Sequence, residues 1–384
     1  MHKILENKIY SISNIVYNEK HLLDKDNIFQ NLEEKLITEA VTTIENWETY
    51  KPTPLIELDK LSSYLNINKI YYKDEGFRFD LKSFKALGGA FAVNKIVKET
   101  KAKTVSTATA GNHGRSVAWG AQRLGIKCKI FISEFVSEDR AEAMRNLGAD
   151  VIRVKGNYDA SLKECINQSK KNQWEIVQDV SWEGYKTVPR YIMAGYTIMI
   201  KEIFDKIKNE KISHVFLQAG VGGMAAAAIA GFAKYSNNLP CFITVEPKDA
   251  ECVLQSIKNK KPTSINIQKE SIMGGMSCGD VSSLAWEILK HSTNYSISIS
   301  DEAIATTVAL LKQKEFSNDE IIAGECGVPG VISLISAIKD KNICEKLKLN
   351  FQSNVLLIGC EGLTDFKMYN KLLKEGQEII KNEQ

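Results

Sequence analysis

The feature that most limits how this chain can fold is a regular alternation of strand-like and helix-like segments. Short apolar runs bounded by glycine and polar residues predict strands, and apolar residues three or four positions apart predict the helices between them. Eight predicted strands follow this alternation, at 104–109, 127–132, 150–154, 174–178, 214–217, 241–245, 295–300 and 354–358. Strands separated by single helices are typical of parallel βαβ units. We therefore predict an α/β fold of two open, mostly parallel sheets flanked by helices, with a ligand site in the crevice at the carboxyl ends of the strands.

The length of the chain favours two domains. Its 384 residues exceed the usual size of a single domain. We expect a larger domain made of residues 1–95 and 200–384, with a smaller βα domain, residues 96–199, inserted in it. The first 50 residues predict a polar N-terminal segment and one helix, 31–47, and 69–73 predicts a short strand.

The composition gives no sign of a nucleic-acid or membrane partner. The 50 lysines and arginines nearly balance the 47 aspartates and glutamates, and the formal charge of +3 does not indicate nucleic-acid binding. The first twenty residues contain no apolar core of a secretory signal. The longest apolar run, 224–233, is too short to cross a bilayer. We expect a soluble, cytoplasmic protein.

The eight cysteines are spread singly along the chain, with no C-x-x-C pair and no histidine at metal-binding spacing. This pattern predicts no metal site and no secreted disulfide framework. Most of the thiols are expected to be buried. Cys252 and Cys278 flank loops in the same half of the chain, and whether they pair is left open.

One lysine is set apart by its neighbours. Lys85 follows Ser83 and Phe84, and the apolar residues after it have helical spacing, so it should lie in the first turn of a helix. The positive end of the helix dipole and the apolar surroundings both favour a neutral amine, which is nucleophilic and can form a Schiff base. Gly88 and Gly89 would let a bulky ligand approach the backbone. The alternative is an ordinary solvated lysine, the usual state of this residue type.

A polar loop lies between the predicted strand 104–109 and the next helix. Backbone N–H groups at Gly111 and the hydroxyl of Thr109 can hold a carboxylate there, and Asn112 can reach a phenolic oxygen. His113 is a candidate base, although a histidine that closes such a turn more often orders the loop.

A second, glycine-rich loop follows a predicted strand and opens a helix. Its residues are Gly220, Val221, Gly222, Gly223 and Met224. Backbone N–H groups at a helix N-terminus are the expected cradle for a phosphate. With Glu246 at the end of the next strand, the same glycines also fit the dinucleotide-binding fingerprint of an oxidoreductase. That alternative leaves Lys85 and the 111–114 loop without a role.

Two more candidates lie at strand ends. Asp179 follows the predicted strand 174–178 and can point into the crevice; the alternative is a helix N-cap with Trp182 packed behind it. Cys360 follows the last predicted strand, where a small neutral side chain can meet a heterocyclic nitrogen and leave it unprotonated. The alternative for Cys360 is a buried thiol.

Together these motifs resemble those of the fold type II pyridoxal-phosphate (PLP) enzymes, the tryptophan synthase β family. The segments that carry this resemblance are Ser83-Phe84-Lys85, Gly111-Asn112-His113-Gly114 and Gly220-Val221-Gly222-Gly223. More narrowly, the chain is similar to the diaminopropionate ammonia-lyases from about Thr53 to Asp365. The narrower similarity includes Asp74-Glu75 through Gly89, Ala118-Trp119, Gln178-Asp179, Trp182 to Tyr185, Gln218 to Met224, Glu246-Pro247, Gly324-Glu325, Glu361-Gly362 and Thr364-Asp365.

The resemblance implies that PLP is the cofactor and that it is bound by the larger domain. Lys85 would hold it as a Schiff base, and Phe84 and Asn112 would fix its ring and O3′. The loop 220–224 would bind its phosphate. Cys360 falls where the family places a neutral partner for the pyridine nitrogen.

The resemblance also implies a small amino-acid substrate. Its carboxylate would lie against Thr109, Ala110, Gly111 and His113, and Asp179 would lie near its amino end as a second catalytic residue. Lys85, once free, would remove the Cα proton, the β-substituent would leave, and aminoacrylate would hydrolyse. The implied reaction is the α,β-elimination of L-2,3-diaminopropionate to pyruvate and ammonia, by a homodimeric carbon–nitrogen lyase.

One departure from the family pattern bears on stereochemistry. Family members usually have Thr-Asp-Gly-Asn-His-Gly, and this chain has Ala110 in place of the aspartate. That acid is placed to remove the Cα proton of a D-substrate, and alanine cannot accept a proton. We expect an enzyme that handles L-configured substrates, or one whose substrate differs from diaminopropionate.

Three alternatives remain beside the leading function. A dehydratase could act on serine, threonine or another 3-hydroxy amino acid, for which Asp179 has no cationic amine to meet. A non-catalytic homologue could retain the PLP pocket, because a fold does not fix a function. The dinucleotide-binding oxidoreductase is the third.

Overall fold

The computed structural model of the protein describes residues 2–22, 24–109, 111–208 and 210–383. The expectation for Ala110 therefore lies outside the described residues. Among the helices of those residues, none has the length and apolar character that crossing a membrane requires.

The chain folds into two compact units. The first comprises Met1–Asn31, Pro52–Ser83 and Met199–Gln384, and the second comprises Leu32–Lys51 and Phe84–Ile198. The bounds predicted from the sequence differ from this grouping, because the segments 32–51 and 84–95 were expected in the larger domain. Both segments are mainly helical, and their helices pack against each other and against a third helix of the second unit. The assignment of cofactor binding to the larger domain stays a prediction.

Eleven strands lie in the described residues. In chain order they are Ile12–Tyr17 (β1), Leu55–Glu57 (β2), Lys69–Asp74 (β3), Thr104–Ala108 (β4), Lys127–Ser133 (β5), Ala149–Val154 (β6), Glu175–Ile176 (β7), His214–Gln218 (β8), Cys241–Pro247 (β9), Tyr295–Ile299 (β10) and Asn354–Gly359 (β11).

The α-helices of the described residues are, in chain order, His2–Leu5 (α1), Lys25–Asn31 (α2), Glu34–Glu45 (α3), Asp59–Leu65 (α4), Lys85–Thr100 (α5), Asn112–Arg123 (α6), Glu138–Arg145 (α7), Tyr158–Asn172 (α8), Thr187–Tyr196 (α9), Ile198–Ile207 (α10), Gly223–Tyr235 (α11), Cys252–Asn259 (α12), Ser283–Ser292 (α13), Ile304–Lys312 (α14), Pro329–Lys339 (α15), Lys341–Leu347 (α16) and Phe366–Glu383 (α17).

The first unit is built on a seven-stranded sheet with the order β1-β10-β9-β8-β11-β3-β2. The five inner strands pair in parallel, and β1 and β2 pair antiparallel at the two edges. The residues of β8 are all buried, as expected for a parallel strand covered on both faces. The helices α11 and α15 pack against β8. The predicted α/β architecture is confirmed.

The sequence missed β1. This strand pairs with β10 from Ile12 to Tyr17, yet its residues are only half-buried or exposed, so it lacks the apolar run that marks the inner strands. The helix predicted at 31–47 is present as α3, which begins three residues later because Glu33 has an extended ψ of 134°. The sequence missed α1 and α2, which precede it.

The second unit holds a four-stranded parallel sheet with the order β6-β5-β4-β7. The strand predicted at 174–178 is shorter than expected: β7 ends at Ile176, and the backbone bond from Val177 N to Ser106 O at 2.8 Å follows it. Beyond it, the side chain of Gln178 takes over the pairing with β4. Its Oε1 accepts from Ala108 N at 3.1 Å and from Thr107 Oγ1 at 2.8 Å, and its Nε2 donates to Ala108 O at 2.9 Å.

A buried charge cluster fixes the end of β3 in the first unit. The guanidinium of Arg78 donates to Glu75 through Nε and Nη2, each at 2.8 Å, and to Glu202 through Nη1 at 2.8 Å and Nη2 at 2.9 Å. Lys73 Nζ lies 2.5 Å from Glu202 Oε2. Two positive and two negative groups therefore compensate one another in the interior, the condition under which charges tolerate burial.

Candidate active site

Lys85 is the first residue of α5, as the sequence predicts. Its Nζ donates a hydrogen bond to Oδ2 of Asp179, and the two side chains are only 23% and 14% exposed. Lys85 Nζ also lies 5.5 Å from the centre of the Phe84 ring. A half-buried amine is thus held between a carboxylate and an aromatic ring.

Asp179 is an ionised group in this arrangement. Burial alone would raise the pKa of Asp179, but positive charge at His113 and Lys85 and the hydrogen bond from Lys85 outweigh it and hold the pKa below its usual value. The alternative interpretation of Asp179 as a helix N-cap is wrong, because the next helix, α9, begins at Thr187.

His113 orders the loop in front of α6. Its Nε2 lies 2.8 Å from Val177 O, which requires a proton on Nε2 and a bare Nδ1 in the neutral ring. That Nδ1 has no hydrogen-bond partner among the described residues and lies 3.9 Å from Asp179 Oδ2. Burial lowers the pKa of His113, so the ring is neutral near pH 7, and Lys85 is then the cation that keeps Asp179 ionised.

The segment that carries Asp179 is fixed from both sides. Gln178 N donates to the hydroxyl of Tyr185 at 2.9 Å, and that hydroxyl donates to Ile176 O at 2.8 Å. The ring of Tyr185 stacks on Trp182 with the centroids 4.2 Å apart. Asp179 is therefore presented from a rigid turn rather than from a free loop.

The loop between β4 and α6 brings the predicted carboxylate-binding residues to the same end of the sheet. Gly111 N donates to Thr109 Oγ1 at 3.4 Å, and Asn112 begins α6. A Cβ on Gly111 would meet no atom within 4 Å, so the space beside this backbone is open. The N–H groups of the first turn of a helix have no acceptor within the helix, which makes this turn suited to an anion.

The glycine-rich loop of the first unit has the shape of a phosphate cradle. Gly222 has φ +90°, in the left-handed region, and a Cβ there would lie 2.7 Å from Leu289 Cδ1. A Cβ on Gly220 would lie 3.1 Å from Cys278 Sγ and 3.2 Å from Met276 Cα. The loop therefore requires glycine at 222 and leaves little room for a side chain at 220. It leads directly into α11, whose first-turn N–H groups suit a phosphate such as that of PLP.

Cys360 follows β11 in the same unit and is buried. Its Sγ donates to Cys326 O at 3.0 Å. All eight cysteines are free thiols, so Cys252 and Cys278 do not form a disulfide in this structure.

Glu246 lies near the end of β9, but its side chain has a structural role. Its buried carboxylate accepts the backbone N–H groups of Val253 and Leu254, each at 2.7 Å, and so holds the first turn of α12. A carboxyl group whose two oxygens accept from backbone N–H groups is not available to bind the hydroxyls of a ribose. The dinucleotide-binding alternative therefore loses the acid on which it depended.

One buried set of possible metal ligands lies outside the predicted residues. Ligand atoms of Glu325, Cys326 and Glu361 lie within 4.8 Å of one another. Glu361 already accepts the backbone N–H of Cys326 at 3.1 Å and the hydroxyl of Thr364 at 3.4 Å. These contacts give the carboxylate a structural role in joining two loops.

Comparison with known proteins gives the class to which this fold and these motifs belong. The family model described as pyridoxal-phosphate dependent enzyme matches residues 47–345. The chain therefore belongs to the PLP-dependent enzymes of fold type II, and PLP is its cofactor. This confirms the resemblance found in the sequence.

Within that class the chain is similar to the diaminopropionate ammonia-lyases. It is 34% identical to that of Escherichia coli K12 over 356 residues, which cover 86% of this chain and 89% of the relative. The Salmonella typhimurium enzyme is 32% identical over 360 residues, 85% of this chain and 89% of the relative. The E. coli structure in complex with an aminoacrylate–PLP azomethine intermediate superposes with a TM-score of 0.88 at 33% identity, covering 96% of this chain and 99% of that one.

A more distant group of relatives consists of L-threonine dehydratases. The biosynthetic L-threonine dehydratase of Staphylococcus epidermidis is 26% identical over 307 residues, which cover 78% of this chain and 68% of the relative.

Sequence reasoning missed two residues that contact the Lys85 helix. The hydroxyl of Ser116 on α6 donates to Lys85 O at 2.6 Å. The ring of Tyr196 packs edge-on against Phe84 with the centroids 4.7 Å apart. Neither residue lies near Lys85 in the sequence, and Tyr196 lies in an apolar helix, so its pattern indicates core packing rather than function.

Proposed function

We propose that this protein catalyses the α,β-elimination of L-2,3-diaminopropionate to pyruvate and ammonia, as a PLP-dependent carbon–nitrogen lyase of amino-acid catabolism. The observation that carries the proposal is the ionised Asp179 held beside the amine of Lys85. A carboxylate at this place suits a substrate with a second, cationic amino group. The names of the relatives at 32–34% identity support the same activity.

In this proposal the cofactor is held by residues that have the required chemistry. Lys85 would bind it covalently, and Phe84 and Asn112 would hold its ring and O3′. Gly220 to Met224 would hold its phosphate, and Cys360 would be the neutral partner of its ring nitrogen. When bound, PLP withdraws electrons from the α-carbon of the substrate and so acidifies the Cα proton.

Four further roles concern the substrate. The loop Thr109 to Gly111, with His113 holding it in place, orients the substrate carboxylate. The amine of Lys85, once the amino group of the substrate has displaced it from the cofactor, removes the Cα proton, and Asp179 accepts hydrogen bonds from the β-ammonium. The Cβ–N bond breaks and ammonia leaves. The three-carbon enamine that remains takes up water and gives pyruvate and a second ammonia.

The dehydratase on 3-hydroxy amino acids is the second candidate function, supported by the relatives at 26% identity. A hydroxyl leaving group carries no positive charge, so it gains less from Asp179. The two functions differ in stoichiometry. Two ammonia released per pyruvate support diaminopropionate as the substrate, whereas one ammonia per pyruvate, with serine or threonine turned over faster, would overturn it.

We also propose that the enzyme acts on L-configured substrates. Ala110 replaces the aspartate that is usual in the family, and an alanine cannot accept a proton from the opposite face of Cα. The test compares turnover of the two enantiomers of 2,3-diaminopropionate. Comparable rates on the D form would contradict the preference for L-configured substrates. Ala110→Asp is expected to raise turnover of the D form.

We further propose a cytoplasmic homodimer, on the strength of the family resemblance. Light scattering of the purified protein should then give twice the 43.0 kDa mass of one chain. A mass of one chain would contradict the dimer.

A further inference from the structure

Tyr196 has a buried hydroxyl that interacts with the side chain of Lys85. It is the last residue of α9 and is only 2% exposed, and its hydroxyl forms no hydrogen bond of full geometry among the described residues. Buried polar groups in native proteins are nearly always paired, and each exception asks for an explanation. A phenylalanine would fill the same space without the buried hydroxyl.

The ring lies against the face of α5 that carries Lys85. Two glycines allow this approach. A Cβ on Gly88 would overlap Cε1 of Tyr196, and a Cβ on Gly195 would lie 2.7 Å from Leu87 O. Lys85 and Gly88 are three residues apart and therefore neighbours on one face of the helix. The crossing of α5 and α9 at these glycines thus places the phenol beside the root of the Lys85 side chain.

Burial keeps the phenol protonated. It raises the pKa of Tyr196; the positive charge of Lys85 and a hydrogen bond with its side chain oppose this effect, and the negative charge of Asp179 adds to it. The hydroxyl is therefore a hydrogen-bond donor at every working pH. Asp179 accepts from the ammonium of Lys85, but a carboxylate has no proton to offer to a free amine, and the phenol has one.

We propose that Tyr196 is a positioning residue for Lys85, whose hydroxyl donates a hydrogen bond to Nζ when that amine is free of its extra proton. Asp179 and Tyr196 then each bind one protonation state of the Lys85 amine. The carboxylate holds the ammonium, and the phenol holds and orients the free base that removes the Cα proton. The inference rests on the proposed function, because it takes Lys85 as the amine that binds PLP and removes that proton.

The test uses Tyr196→Phe, which keeps the ring against Phe84 and Gly88 and removes only the hydroxyl. The matched control is Tyr191→Phe on the same helix, whose hydroxyl donates to Glu99 Oε2 at 3.0 Å near the protein surface. Three quantities are measured on full-length protein. They are the melting temperature of the apoprotein, the pH dependence of the rate of covalent PLP attachment, and the pH profile of kcat and KM.

For Tyr196→Phe we expect a melting temperature equal to or above that of the wild type, because the buried hydroxyl that is removed forms no hydrogen bond of full geometry in this structure. We expect attachment of PLP and kcat to fall by about 10- to 100-fold with KM little changed, as for loss of a group that assists proton transfer. The acid limbs of both pH profiles should move to higher pH, by up to about one unit. Tyr191→Phe should change none of these.

Two results would overturn the inference. One is a Tyr196→Phe protein with unchanged rates and pH profiles. The other is a lower melting temperature with slower rates but unmoved pH profiles, which is the signature of a packing role. If Tyr196→Phe does not fold, 3-fluorotyrosine at position 196 keeps the hydroxyl and makes it a stronger donor, and the acid limb should then move to lower pH; an unmoved limb would overturn the inference. Wild-type protein that attaches no PLP at Lys85 would instead contradict the proposed function itself.

Discussion

Asp179 accepts a hydrogen bond from Lys85 across 94 residues of sequence, within the same compact unit. Neither side chain is fully exposed, and the carboxylate belongs to a turn that Gln178 and Tyr185 hold in place. The pair joins the amine expected to bind PLP to the one acid expected to meet a cationic leaving group. Its chemistry can be tested separately on substrates that differ in that group.

The first prediction concerns Asp179→Asn, which keeps the size of the side chain and removes its charge. We expect kcat/KM for L-2,3-diaminopropionate to fall by about 10- to 100-fold, the value of one charge-assisted hydrogen bond. The fall for L-serine should be smaller, because its leaving hydroxyl carries no charge. Steady-state assays on both substrates measure the difference. Equal losses on the two substrates would show that Asp179 acts on Lys85 alone.

The second prediction concerns the pH dependence of stability at Asp74. Burial raises the pKa of this carboxyl from 3.8 to about 6, although Gly76 N donates to its Oδ1 at 2.9 Å. The folded state binds this proton more tightly than the unfolded chain, so the stabilisation is full below pH 3.8 and is lost as the pH rises through about 6. Asp74→Asn cannot ionise and escapes that loss.

The difference in free energy of unfolding between Asp74→Asn and the wild type should therefore shift by about 2 kcal/mol in favour of the variant between pH 4.5 and 7.5. Urea unfolding of the two apoproteins at both pH values measures this. A difference that does not change with pH would mean that Asp74 ionises as easily in the folded protein as in the unfolded chain.

The third prediction concerns the buried charge cluster. Glu202→Gln leaves Arg78 and Lys73 short of one negative charge, and all three side chains are at most 1% exposed. We expect a loss of about 3–5 kcal/mol in the free energy of unfolding, as for other broken buried pairs. The control is Asp205→Asn, which breaks an exposed pair with Lys201 on the same helix and should cost less than about 0.5 kcal/mol. Similar losses in the two variants would show that the buried cluster contributes no more to stability than an exposed ion pair.

The fourth prediction concerns the glycine-rich loop, residues 220–224, which we propose binds the phosphate of PLP. Gly222→Ala forces an L-residue into φ +90° and towards Leu289, so the cradle must distort. We expect the apoprotein to bind PLP about 10- to 100-fold more weakly, which equilibrium titration measures. Gly274→Ala is the control, because a Cβ there meets no atom within 4 Å and should leave the affinity unchanged. Unchanged affinity in Gly222→Ala would separate this loop from the cofactor.

Much of the fold follows from local pattern. The inner strands β8, β9 and β11 are apolar runs flanked by helices, and each was found in the sequence within two residues of its bounds. Burial on both faces requires apolar residues along the whole strand, so the pattern is visible in the sequence. The edge strand β1 was missed for the opposite reason, because it is half-exposed and owes its place to pairing with β10.

The sequence identified candidate site residues in loops and at a helix start, but it did not identify which distant residues contact them. Lys85 and the glycines at 220–223 were visible because glycine and helix-start signals are local. The pairing of Lys85 with Asp179 and the approach of Tyr196 depend on how distant helices and strands meet. Gln178 shows the same limit, since its side chain replaces a strand pairing that the apolar pattern had extended too far.

The measurement that tests the central claim most directly is borohydride reduction of the purified protein with PLP, followed by mass analysis of its peptides. We predict a yellow protein whose absorbance is bleached by borohydride, with the pyridoxyl group on the peptide that contains Lys85 and on no peptide of the Lys85→Arg variant. A colourless protein in the presence of PLP, or a label on a different lysine, would contradict the account.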